Sequence, residues 1–136
     1  MLEAQAINRY IGSSPRKMRL VIDLIRGKMV PEALNILHFS TKHGSRVAEK
    51  VLRSAVSNLQ NKDEAGRTNV DTLFVKTVFV NGGPSAKRML PAPMGRAFRI
   101  LKRSNHLTIV IAQKPEKVKQ VSKIKDKQPV KKSKQE

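Results

Sequence analysis

The chain has no cysteine and no tryptophan, and its 136 residues include only one tyrosine and four phenylalanines. The lack of cysteine excludes disulfide bonds, thiolate zinc sites and cysteine nucleophiles, and it is typical of a reducing compartment. The shortage of aromatic rings disfavours a protein that binds single strands by stacking their bases.

Long apolar runs are missing as well. No segment approaches the roughly 20 consecutive apolar residues that span a bilayer. The N-terminal sequence MLEAQAINRY has neither the basic start nor the apolar centre of a signal peptide. We therefore expect a protein of the cytoplasm or of an organelle, with no membrane partner.

Acidic residues are scarce. Ten Asp and Glu residues face 28 Lys and Arg residues, a formal net charge of +18. No acidic residue lies between Asp71 and Glu116. A body this basic repels itself unless an anionic partner binds it. By charge alone, nucleic acid is the first candidate partner and an anionic membrane the second, but the helical segments have the pattern of core-packing elements, which ranks the membrane last.

The N-terminal part of the chain predicts a strand followed by a helix. Residues 2–11 have the mixed pattern of an edge strand. Ser14 suits a helix N-cap with proline after it, and Gly27 suits the left-handed residue at a helix C-terminus. We therefore predict a first helix over about residues 14–26.

Two further helices and two strands follow. Apolar residues at helical spacing predict a second, shorter helix from Pro31 and a third, which Ser45 caps. The spacing of apolar residues then changes to a period of two over residues 72–80 and again over 107–112. Both segments are rich in β-branched residues, and we predict a strand in each. The predicted fold class is α+β, with three helices packed on a small antiparallel sheet.

The segment between these strands predicts a long protruding hairpin over about residues 81–101. Residues 81–90 and 92–101 form its two arms, and its midpoint lies near Pro91. At about 3.3 Å per residue, its tip projects roughly 30 Å beyond the body. An isolated two-stranded ribbon is marginally stable in water, so this hairpin requires a partner that holds it.

Composition changes near Gln113. Residues 114–136 contain nine lysines and no arginine, whereas all 11 arginines lie at or before Arg103. We predict a single α+β domain over residues 1–113 and a disordered lysine-rich tail over 114–136.

The hairpin carries six basic residues and no acidic one over residues 87–103. An ordinary charged hairpin would interleave both signs, so this pattern favours contact with the phosphates of a duplex or a folded RNA. Its middle, from Met89 to Met94, is apolar and neutral, which is unusual for a phosphate-binding segment. We infer that this part emerges from the polyanion into a space or against another surface.

The first helix offers a second basic surface, and two interpretations of it stay open. Its arginines either form a solvated face paired with Asp23 or contact phosphates, with the serines before the helix adding donors. The predicted contacts of the body are Arg9, Ser13, Ser14, Arg16, Lys17, Arg19, Arg26, Lys28, Lys76 and His106.

Nothing in the chain predicts catalysis. The three histidines are far apart in sequence, and no metalloprotease, nucleophile-elbow, dithiol or nucleotide-loop motif occurs. We therefore predict no catalytic residue, no metal site, no cofactor and no enzymatic activity.

Two groups of motifs resemble the large-subunit ribosomal protein L twenty-two family. The first helix is similar in GSSPRKMRLV, from Gly12, and in DLIRGK, from Asp23. The extended hairpin is similar in GPSAKR, from Gly83, in Pro91 and in the GRA and ILKR segments that follow, and SNHLTIV, from Ser104, resembles the returning strand. The resemblance covers about residues 5–112 in the family's order and spacing.

The resemblance implies a structural constituent of the large ribosomal subunit that binds large-subunit ribosomal RNA and supports assembly. It implies a body near the mouth of the peptide exit tunnel and a hairpin that runs inward through RNA. By position, the tunnel-lining residues would be Lys87, Arg88, Met89, Leu90, Pro91, Ala92, Pro93 and Met94. The RNA-binding arm would contain Arg96, Arg99, Lys102 and Arg103, with Arg16, Lys17 and Arg19 on the body. The charge pattern adds Lys87 and Arg88 as RNA contacts.

The implied partners are large-subunit ribosomal RNA, neighbouring large-subunit ribosomal proteins and the nascent peptide, without homo-oligomers. The implied location is the ribosome of the cytoplasm or of an organelle. The main alternative is a free-standing basic chaperone of RNA or DNA. The long arm and its neutral tip disfavour that alternative, because a chaperone gains nothing from an apolar tip held far from its body.

Overall fold

A computed structural model describes residues 2–63 and 69–113, and it confirms the α+β architecture. The strands are β1 (Glu3–Ile11), β2 (Leu73–Pro91) and β3 (Ala97–Gln113). They form an antiparallel sheet in the order β1-β3-β2, so β3 is central and β1 and β2 are edge strands. The prediction of an edge strand at the N-terminus is therefore confirmed.

Three helices lie within the described residues: α1 (Pro15–Ile22), α2 (Val30–Phe39) and α3 (His43–Lys62). Their apolar faces pack against one face of the sheet and bury it, as the helical spacing predicts. Met18 of α1, Leu52 of α3 and Ile109 of β3 are almost fully buried in this core. None of the described helices is long and apolar enough to cross a membrane.

The first helix ends four residues earlier than predicted, at Ile22. The next amides bond three residues back: Leu24 N–H donates to the Val21 carbonyl at 3.3 Å, and Ile25 N–H to the Ile22 carbonyl at 3.1 Å. This tighter winding brings Ile25 into the core. Gly27 then adopts the predicted left-handed conformation, with φ of +73°.

The third helix begins at His43, and the predicted cap at Ser45 is wrong. Lys42 is the extended residue before the helix, and Ser45 N–H already donates to the Lys42 carbonyl at 2.9 Å. Ser45 is fully buried in the first turn, and within residues 2–63 and 69–113 its hydroxyl has no hydrogen-bond partner. His43 and Gly44 therefore lie in the first turn of α3, ahead of the predicted start.

The hairpin is longer than the apolar strands at its base indicate, and its turn lies three residues beyond the midpoint predicted near Pro91. Pro91 still pairs with Ala97, and the turn centres on Met94 and Gly95, whose φ values are +61° and +71°. The turn forms where a glycine can adopt the left-handed conformation, whereas Pro91 ends a strand. Two register shifts, at Val75/Thr77 and Gly82/Ser85, each place one extra residue in β2.

The predicted tail, residues 114–136, lies outside the described residues. The division into a domain at 1–113 and a tail therefore stays a prediction.

Candidate nucleic-acid interface

The loop before α1 is fixed to the root of the hairpin by a buried asparagine. Asn105 Nδ2 donates to the Ser13 carbonyl at 2.7 Å and to the Ser13 hydroxyl at 2.8 Å, and Asn105 is fully buried. Because a buried N–H group is costly unless it is paired, these two bonds fix the loop against β3, while the buried Asn105 Oδ1 has no hydrogen-bond partner among the described residues. Sequence reasoning missed Asn105, since nothing local distinguishes it from an exposed strand asparagine.

Two of the predicted RNA contacts, Arg19 and Arg26, bind the free edge of β2. Arg19 Nη2 donates to the Val80 carbonyl at 3.2 Å, and Arg26 Nη1 donates to the Val78 carbonyl at 2.9 Å. An open strand edge leaves carbonyls unpaired, and these two guanidinium groups satisfy two of them. We call Arg19 and Arg26 the edge arginines. Arg26 also pairs with Asp23 at 3.0 Å, as the interpretation of a solvated helix face predicts.

Two further predicted contacts have acidic partners inside the protein. Lys28 pairs with Glu32, and Lys76 pairs with Glu3. A phosphate that binds either lysine has to share it with a carboxylate or displace that carboxylate.

His106 and Tyr10 form a small aromatic contact at the end of β1. The Tyr10 N–H donates to His106 Nδ1 at 3.0 Å, and the two rings meet edge to face, with centroids 4.9 Å apart. Tyr10 has a φ of +57°, which turns β1 away from regular pairing at this point. Because Nδ1 accepts this bond, Nε2 is the ring nitrogen left for another partner.

The other predicted contacts of the body lie on its surface or near it. Arg9, Arg16 and Lys17 are exposed, and Ser14 is half-buried at the start of α1. Among the described residues no carboxylate pairs with any of these three cations.

The six cations of the hairpin are all exposed, and none of them pairs with a carboxylate of the described chain. Arg88 makes a local hydrogen bond instead, since its Nη1 donates to the backbone carbonyl of the neighbouring Lys87 at 2.8 Å. We call this set the arm cations: Lys87, Arg88, Arg96, Arg99, Lys102 and Arg103.

The register of the hairpin puts these cations on both faces of the ribbon. Residues directly opposite each other share a face, and successive residues alternate. Arg103 and Lys87 lie on one face together with Arg99, because their partners are Ser85, Leu101 and Met89. Arg88 and Lys102 lie on the other face. A polyanion on one side alone would leave part of this charge unbound.

The tip of the hairpin is apolar and exposed. Met94 is 95% exposed and Met89 is 77% exposed. The turn is closed by the Ala92 N–H, which donates to the Arg96 carbonyl at 2.9 Å. The tip therefore presents uncharged side chains from a defined turn.

A groove of about 960 Å³ separates the root of the hairpin from the body. We call it the root groove. One face of α1 lines it, because Ser14, Lys17, Met18 and Val21 follow helical spacing, and the start of α3 lines it at Lys42. The opposite wall is formed by residues 84–86 of β2 and 101–104 of β3. Sequence reasoning missed Lys42, whose position depends on how three distant segments meet.

Metal chemistry receives no support from the geometry. Within residues 2–63 and 69–113, no group of three or more histidine, cysteine, aspartate or glutamate side chains could hold a metal ion.

Comparison with known proteins places this arrangement in a family. The family model described as Ribosomal protein L22p/L17e matches residues 6–112. A protein of Chlorobaculum tepidum named large ribosomal subunit protein uL22 is 56% identical over 117 residues, covering 86% of this chain and 98% of that protein. Proteins of the same name from Chlorobium phaeobacteroides and Syntrophobacter fumaroxidans are 54% and 49% identical, covering 81% and 83% of this chain and 94% and 100% of their own lengths.

Proposed function

The chain belongs to the ribosomal protein L22p/L17e family, whose members are structural, non-enzymatic components of the large ribosomal subunit, and we propose that it binds large-subunit ribosomal RNA through both faces of its hairpin. The observation that carries this proposal is the set of arm cations, which pair with no carboxylate among the described residues and which the strand register distributes over two faces of a ribbon. Such a ribbon is best neutralised by RNA that surrounds it.

The proposed contacts are to phosphates, with arginine also stacking on bases. Each phosphate contact releases counterions, and several contacts together give tight, salt-dependent binding. The planar fork of arginine matches phosphate and also stacks on bases. Arg9, Arg16 and Lys17 extend this interface to the body, together with Ser13 and Ser14. His106 belongs to the same proposed set.

Arg19, Arg26, Lys28 and Lys76 are weaker candidates for RNA contact. The two lysines are paired with carboxylates, and the two arginines donate to backbone carbonyls. Arginine has five N–H donors, so an edge arginine can hold its carbonyl and still reach a phosphate. We expect these four residues to contribute less to RNA affinity, per charge, than the arm cations.

The neutral tip supports a role in lining the nascent-peptide exit tunnel. A tip buried in RNA would carry charge, whereas Met89, Leu90 and Met94 offer exposed apolar surface. In this proposal residues 87–94 face the tunnel, and the nascent peptide is a transient partner. Neighbouring large-subunit proteins contact the body. The chain works as a single copy on the cytoplasmic ribosome, and it supports assembly of the large subunit.

Sucrose-gradient fractionation tests the ribosomal assignment. At physiological salt the protein should sediment with large-subunit particles. If it sediments mainly outside them, the assignment fails and a free-standing RNA or DNA chaperone becomes the better account.

Crosslinking tests the placement of the tip. A photocrosslinker at position 94 should reach stalled nascent chains, and one at Lys87 should reach large-subunit RNA. The matched control is position 50, an exposed lysine on α3, which should not reach the nascent chain. Equal nascent-chain crosslinking from positions 94 and 50 would contradict the tunnel-lining role.

A further inference from the structure

We propose that the root groove binds a single unpaired nucleotide extruded from the RNA. The base would contact the apolar wall, and its flanking phosphates would contact the basic rim. This inference rests on the proposed RNA binding and adds a preference for one local RNA structure, the unpaired nucleotide.

The walls of the groove are too apolar for a site that binds only phosphates. Leu20 of α1 lines the groove and is 56% exposed, whereas Met18 and Val21, which line it from the same helix, are almost fully buried. Leu101 and Ala86 contribute apolar surface from the hairpin. A planar base has two apolar faces, so its burial against this wall is favourable, whereas a phosphate gains nothing there.

The rim of the groove is basic. Lys17 and Lys42 lie on the side of the body, Lys102 and Arg103 lie on the hairpin, and none of the described residues that line the groove is acidic. This charge favours an anionic occupant and disfavours a basic peptide, including the chain's own lysine-rich tail. A nucleotide combines the two properties that the groove requires, an apolar face and a negative charge.

The size of the groove also suits a nucleotide. Sites for small molecules and cofactors commonly have volumes of about 300–1,000 Å³. The root groove, at about 960 Å³, lies within that range and leaves room for the flanking backbone.

Contacts within the protein hold both walls of the groove. Asn105 anchors the loop of Ser13 to β3, and the Ser104 hydroxyl donates to the Pro84 carbonyl at 2.6 Å. On the other wall Gly44 lies so close to Met18 that a Cβ atom there would be 3.2 Å from the methionine sulfur. A preformed groove selects nucleotides that are already unstacked, because extruding a paired base costs a few kcal/mol.

The test compares two RNA probes with the full chain: a perfect duplex, and the same duplex with a single-nucleotide bulge. We expect the bulged probe to bind about tenfold more tightly at the same salt concentration. With 2-aminopurine as the bulged base, fluorescence should rise on binding, because the base leaves its neighbours and no tryptophan or tyrosine lines the groove.

Ala86→Trp should fill the groove and reduce the preference for the bulge to less than twofold, with perfect-duplex affinity unchanged. The matched control is Ala97→Trp, since Ala97 is also an exposed hairpin alanine but does not line the groove. Lys17→Gln with Lys42→Gln provides a second variant that leaves the apolar wall intact. This double variant should lower the affinity for the bulged probe more than the affinity for the perfect duplex.

The outcomes separate the two proposals. If neither probe binds, the proposed RNA binding fails. If both bind equally, or if the preference survives both Ala86→Trp and the double lysine variant, the nucleotide site is wrong and RNA binding stands. Loss of the preference in Ala97→Trp as well would also overturn the assignment to the groove.

Discussion

The edge arginines and the arm cations carry the same charge but differ in what they contact inside the protein. Arg19 and Arg26 donate to carbonyls of β2 and thereby complete the edge of a strand. The six cations of the hairpin have no acidic partner in the described chain. Positive charge in the body is therefore partly used to stabilise the fold, whereas charge in the hairpin is available to an external anion.

The largest expected effect comes from the arm. Changing Arg96, Arg99 and Arg103 together to glutamine should lower affinity for a large-subunit RNA fragment about 100- to 1,000-fold at 0.1 M salt, because three phosphate contacts are lost. The melting temperature of the free protein should stay unchanged, since all three side chains are exposed. Filter binding and thermal unfolding measure the two quantities.

A matched control for this variant removes the same charge from α3. Arg46, Lys50 and Arg53 are also exposed, and their change to glutamine should lower RNA affinity less than tenfold. Equal losses from the two triple variants would mean that net charge, and not the arm, decides binding.

The next effect is expected at the edge arginines and should show in stability. Changing Arg19 and Arg26 together to alanine should lower the free energy of unfolding by about 1–2 kcal/mol, because two strand carbonyls lose charged donors. Urea unfolding measures this loss, and RNA affinity should fall less than tenfold. A stable variant with a large loss of RNA affinity would show that the edge arginines are RNA contacts.

A smaller effect is expected where the hairpin leaves the body. A Cβ atom on Gly83 would lie 2.5 Å from the Ser104 hydroxyl oxygen, whereas one on Gly82 would meet nothing within 4 Å. Gly83→Ala should therefore lower the free energy of unfolding by about 1 kcal/mol through overpacking, and Gly82→Ala by less. Adding Ser104→Ala should restore part of the loss. No recovery in the double variant would show that the hydroxyl is not the obstacle.

The smallest effect is expected at the tip. Deleting residues 89–94 should leave the melting temperature of the free protein unchanged within about 2 °C, because none of these residues is buried in the core. A large drop in melting temperature would show that the tip supports the body.

Much of the fold follows from local sequence patterns. The structure differs from those predictions where contacts between distant segments decide the conformation. Helical spacing located α2 and α3, and the alternating pattern located the strand roots. The early end of α1 could not be predicted, because Ile25 is buried and Gly27 is left-handed, as both would be if the helix continued to residue 26. Ser45 has the residue type of a cap, yet packing buries it.

Part of the candidate interface is likewise visible in the sequence, and part of it appears only in the folded chain. The charge of the arm is visible in the sequence because acidic residues are absent there. The partners of Arg19 and Arg26 are not visible, since they lie 61 and 52 residues away on β2. The root groove was missed for the same reason: Lys42, the start of α1 and residues 84–86 meet only in the folded chain.

The salt dependence of RNA binding tests the central comparison most directly. The slope of log K against log salt should be measured for the unchanged chain, the arm triple variant and the edge-arginine double variant on one large-subunit RNA fragment. We predict that the arm variant reduces the slope by about 2–3 and the edge variant by less than 1, since each phosphate contact contributes about 0.9. An unchanged slope in the arm variant, or an equal reduction per charge in both variants, would contradict the account.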